Sequence, residues 1–72
     1  MRSLELAFKA AGLTLVSTEI NSEDTMVFQF DNHFHAREAA DIMNRTGTWN
    51  AKVEKVSEKY FVEAILAPSR PH

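Results

Sequence analysis

The sequence predicts a two-layer α+β domain, ordered αββαββ, with a four-stranded, largely antiparallel sheet and both helices on one face of it. Three observations carry this. Asp31 to Gly47 has helical apolar spacing between a capping start and a glycine stop. Pairs of short, alternating runs rich in β-branched and aromatic residues lie on either side of it. A slide of about 35 residues lays the second half of the chain over the first without a gap.

Residues 2–11 read as the first helix. Ser3 is placed to cap it, Leu4, Ala7, Phe8 and Ala11 form an i, i+3, i+4, i+7 stripe, and Gly12 ends it. Leu13 to Ile20 is rich in β-branched residues and reads as a strand. Asn21 to Asp24 is turn chemistry. Thr25 to Phe30 then alternates, with Met26, Phe28 and Phe30 on one face. Asp31 and Asn32 can both accept from the free N–H groups of a new helix. In that helix Ala36, Ala39, Ala40 and Met43 form the apolar face, widened by Ile42. Arg37, Asp41 and Arg45 lie opposite, with Arg37–Asp41 an i,i+4 pair of opposite charge. Gly47 ends the helix. Thr48 to Val56 and Lys59 to Leu66 are the third and fourth strands, joined at Ser57-Glu58. The compact domain spans 1–67, and 68–72 form a short flexible tail whose prolines suit no sheet interior.

In the 35-residue overlay Gly12 meets Gly47, Glu19 meets Glu54, Ser22-Glu23 meets Ser57-Glu58, and Val27 meets Val62. This pseudo-two-fold plan fits a duplication or two αββ units of similar length. Its topology is related to the ferredoxin-like plan, with the first strand moved to the end of the chain. That relation concerns topology and carries no function.

Length and composition narrow the function classes. A chain of 72 residues with no cysteine has no disulfide or thiolate-metal staple, so a small core must suffice or a partner must help. The hydrophobic content of 44% argues against disorder, and a net charge of −2 gives no general attraction to nucleic acid or to an anionic membrane. No apolar run nears the roughly 20 residues of a membrane span, and the N-terminus has no signal-peptide pattern. The expected location is cytoplasmic.

If the helices cover one face, the other is open. Alternation places Val16, Ile20, Val27, Phe61 and Ile65 there, with Lys52, Glu54 and Glu63 as a polar rim. The Leu15-Val16 step breaks the alternation of the first strand, which leaves the faces of that strand open. An apolar patch of this kind marks an interaction site. The expected function is therefore a non-enzymatic protein-interaction module, a regulator, adaptor or inhibitor. It would bind itself as a homodimer, or a larger protein, through the open face or an edge strand. A phage-type inhibitor of a host protein machine belongs to the same class. The main alternative is a weak nucleic-acid-binding domain using Arg37, Arg45, Lys52 and Lys55, although interleaved acids blunt that basic edge.

Catalytic signals are sparse. No serine lies in a strained glycine-flanked turn and no glycine-rich phosphate loop exists, so no enzyme and no cofactor is expected. Asp31, His33 and His35 are the one cluster with metal-ligand character. They would share a face only in an extended segment, and in a helix i and i+2 diverge. Surface histidines at a helix entrance are the expected reading.

Overall fold

Met26, Phe28 and Phe30 alternate with Val27 and Gln29 along one strand, and that strand is the floor on which both helices stand. A computed structural model describes residues 2–67. The elements are α1 (Arg2–Ala10), β1 (Leu15–Ile20), β2 (Thr25–Phe30), α2 (His33–Thr46), β3 (Trp49–Val56) and β4 (Lys59–Leu66). The strands form one antiparallel sheet in the order β1-β2-β4-β3. The last strand therefore lies between β2 and β3, as expected when the first strand of a ferredoxin-like plan moves to the end. Residues 68–72, expected as a tail, lie outside the described residues.

The core lies between the sheet and the two helices. It is built from Leu4 and Phe8 of α1, Ala36, Ala39, Ala40 and Met43 of α2, and Met26, Phe28, Phe30, Trp49, Val62 and Ala64 of the strands. Phe8 is fully buried, and its ring meets Phe28 at 5.2 Å and 87° and Phe30 at 5.7 Å and 75°. Those are edge-to-face contacts, the arrangement that the aromatic quadrupole favours. The alanines of α2 let its backbone lie close over the sheet. Gly12 (φ 80°) and Gly47 (φ 76°), equivalent in the overlay, both take the left-handed conformation, and their equivalents Phe8 and Met43 are both fully buried.

Of the two capping candidates for α2 the structure uses Asn32; its Oδ1 accepts from the N–H groups of Phe34 (2.8 Å) and His35 (3.4 Å). Three local expectations are corrected. Ser3 is already inside α1, which begins at Arg2. Asp41 pairs with Arg45 at 3.1 Å instead of Arg37, in the acid-before-base order that suits the helix dipole. The third concerns the faces of β1. Leu15 pairs with Phe30, but Ser17 pairs with Gln29, so Val16 is an extra, bulged residue. Beyond it Glu19 lies opposite Val27, and Ile20 lies opposite Met26. An unbulged strand would put Glu19 opposite Met26, facing the core. The bulge avoids burying that carboxylate, and it moves Thr18 and Ile20 to the helix-bearing side. Thr18 Oγ1 accordingly donates to Glu5 of α1 at 3.2 Å.

The β3–β4 turn has positive φ at both Ser57 (49°) and Glu58 (60°). That twist matches a two-residue hairpin, where asparagine and glycine are the unstrained choices. Replacing Ser57-Glu58 by Asn-Gly should therefore raise stability by about 1 kcal/mol. Phe8→Ala should cost ~3–5 kcal/mol, about the whole margin of so small a core. Its Trp49 emission in buffer should match that of wild type in high urea, whereas a folded variant with an ordinary urea transition would refute the assigned role of Phe8.

Candidate interaction face

The face of the sheet opposite the helices has no element over it among the described residues. The strand register sorts it into rows. One runs Glu19, Val27, Glu63, Lys52 from β1 to β3; the next runs Ser17, Gln29, Phe61, Glu54. A third holds Thr25, Ile65 and Asn50. The structure thus brings Val27, Phe61 and Ile65 together on the two central strands. Val16, the bulged residue, stands half-exposed on the outer strand. Ile20 leaves the group; it is 67% exposed but at the rim of the helix-bearing side. Of the expected rim, Lys52 Nζ is 3.6 Å from Glu63, and Glu54 is exposed beside Phe61. The face gains Glu19, which an unbulged strand would turn toward the core.

The charges divide by position. Glu19 is on one outer strand and Lys52 on the other, at the two ends of the same row. Val27 and Glu63 are between them, with Phe61 and Ile65 on either side of Glu63 along β4. An exposed ion pair such as Lys52–Glu63 contributes at most about 1 kcal/mol, so it leaves Lys52 available to a partner.

The sheet edges are less accessible than its face. β1 is a six-residue strand interrupted by the bulge. β3 is longer, but the Asn44 side chain of α2 occupies its outer edge. Asn44 Oδ1 accepts from Ala51 N–H at 2.8 Å, and Asn44 Nδ2 donates to Ala51 C=O at 3.1 Å. Both devices blunt strand addition.

The helix-bearing side disperses the remaining candidates. His35 Nδ1 accepts from Thr14 N–H at 3.2 Å, tying the start of α2 to the loop before β1. His33 turns toward β4, its ring 5.4 Å from that of Tyr60. The Asp31, His33, His35 line is therefore broken by the helix, and no group of three potential metal ligands occurs among the described residues. The four basic candidates also separate. Lys52 lies on the open face. Arg45 pairs with Asp41 and, at 3.7 Å, with Glu38. Arg37 and Lys55 share a groove with His33, Val53 and Tyr60. Phe34, to which the sequence assigned no role, is 78% exposed beside that groove. Among the described residues no helix is long and apolar enough to cross a membrane. No protein family, curated protein or solved structure matches the chain.

Asn44→Ala should remove both bonds to Ala51 and cost about 1 kcal/mol, since alanine's better helix propensity offsets part of the loss. The freed β3 edge should also make the variant associate more readily. Thermal melts and light scattering at matched concentration check both effects, and an unchanged melting temperature would deny the clamp any role.

Proposed function

We propose that this domain is a non-enzymatic protein-interaction module, acting as a regulator, adaptor or inhibitor, that binds through the open face of its sheet. Its simplest occupant is a second copy of the chain. One observation carries this reading: the apolar side chains Val27, Phe61 and Ile65 occupy the two central strands, while Glu19 and Lys52 stand at opposite ends of one row. A two-fold axis lying in the interface along the strand direction sets β1 of one copy over β3 of the other. Glu19 then meets the second copy's Lys52, twice, while Val27 faces the second copy's Glu63, Phe61 its Gln29 and Ile65 its Thr25, each apolar residue standing one strand across the axis from its own counterpart. Opposite charges meeting at the rim favour this register over a shifted one.

Magnitude bounds the affinity. With strands about 4.8 Å apart and about 3.3 Å per residue, the face offers ~400 Å² per copy, ~800 Å² in total. Stable interfaces bury roughly 1,200 Å² or more, so association should be reversible, with dissociation in the micromolar range or weaker. The same face, with Val27, Phe61 and Ile65 set around Glu63 and a mixed rim, suits a larger protein that contributes more area.

Light scattering over a dilution series tests the reading. Wild type should pass from dimer to monomer, and a Phe61→Thr, Ile65→Lys double variant should be monomeric throughout. Lys52→Glu should weaken the dimer about tenfold, and adding Glu19→Lys should restore it. A folded Phe61/Ile65 variant with the wild-type mass profile sinks the face. A wild type monomeric even at millimolar concentration removes the second copy and leaves the larger partner.

A further inference from the structure

A different set of groups gathers at one end of the helix-bearing side. His33 opens α2, Arg37 follows one turn later, and both border a groove completed by Lys55 of β3 and Tyr60 of β4. The rings are adjacent: His33 lies 5.4 Å from Tyr60 and 6.3 Å from Phe34, and Lys55 Nζ lies 5.8 Å from the centre of Tyr60. Among the described residues neither Arg37 nor Lys55 makes an ion pair, whereas Arg45 and Lys52 both do. On its other side Arg37 shares a second groove with Phe34, Glu38 and Asp41. Those two carboxylates turn to Arg45, at 3.7 and 3.1 Å. Arg37 is thus the wall between a groove that holds Lys55 and a groove that holds the exposed ring of Phe34. The first turn of α2 carries no acidic residue, so the positive end of its dipole adds to the same potential.

We propose that this end of the domain binds a nucleotide unit, with the phosphate between Arg37 and Lys55 and the base packed on Phe34. The guanidinium fork of arginine matches phosphate oxygens, and lysine adds a point charge. A neutral base suits the Phe34 side, where the carboxylates are already engaged, and stacking on an exposed ring tolerates any base. A bare anion would leave Phe34 without a role, and an apolar ligand would leave the two cations without one. The unit arrives either as a free mononucleotide or within a single strand; the recognising chemistry is the same. The site lies off the open face and stands or falls independently of the proposal made for it.

The test is a set of amide-shift titrations of the whole chain at low salt, with AMP, a short oligothymidylate and inorganic phosphate. AMP and the oligonucleotide should shift residues 33–37 and 53–60, leaving the open-face centre unmoved. An oligonucleotide binding much more tightly than AMP identifies a single strand as the source; equal affinities identify the free nucleotide. Arg37→Ala with Lys55→Ala should weaken both by about tenfold or more, and Phe34→Ala should weaken AMP but not phosphate. All three positions are exposed, and the amide spectrum of each variant reports its fold. The proposal is overturned if no ligand moves these residues, if phosphate binds as well as AMP, or if the folded Arg37/Lys55 variant binds as wild type does.

Discussion

The fold depends on a single aromatic contact, Phe8 set edge-on against Phe28 and Phe30. With no cysteine in the chain, α1 has no covalent tie to the sheet. It is held by that ring, by Leu4, and by the Glu5–Thr18 hydrogen bond. The far wall is made differently, from an alanine face and Met43, which lets a longer helix lie close to the sheet. The helix α1 lies over β1 and reaches β2 through Phe8, α2 lies over β3, β4 and β2, and no further helix exists among the described residues to cover the other side. The open face follows from that economy. Val27, Phe61 and Ile65 on that uncovered side keep apolar surface in water within the single chain.

Most of this architecture is legible in the residues because it rests on periodicity. The alternation of Met26, Phe28 and Phe30, the alanine stripe of α2, and Gly12 and Gly47 each signal locally, and each element begins and ends within two residues of its expected place. Features that failed to read locally are those decided by a distant partner. The alternation of Leu15 to Ile20 is broken at Leu15-Val16, and the pairing of Glu19 with Val27 rather than Met26 is settled by β2. The Asn44–Ala51 clamp appears in sequence as an ordinary helical asparagine. The proximity of His33 to Tyr60 requires β4 to lie between β2 and β3, which no short window of sequence specifies. Of the expected open-face group, Val27, Phe61 and Ile65 are brought together, because β2 and β4 are regular, and Ile20 is not.

Whole-chain charge proved a coarse guide for a related reason. A net of −2 averages over surfaces that differ in sign. Three glutamates and one lysine border the apolar residues of the open face. Arg37 and Lys55, which make no ion pair among the described residues, share a groove on the opposite side. Ion pairing sharpens the division, since Glu38 and Asp41 are drawn to Arg45 and away from Arg37.

The Asn44 clamp also bears on how the chain finds its strand order. It joins residues seven apart, across the α2–β3 turn. Closing a loop of about ten residues takes on the order of 10–100 ns, against ~1–10 μs for a hairpin. A nascent β3 can therefore have the outward N–H and C=O of Ala51 engaged before β4 reaches it. Only the side presenting Asn50, Lys52 and Glu54 then offers a free ladder, and β4 pairs there, between β3 and β2. The asparagine amide thus serves as a kinetic guide: by imitating a strand on one edge, it steers the true strand to the other.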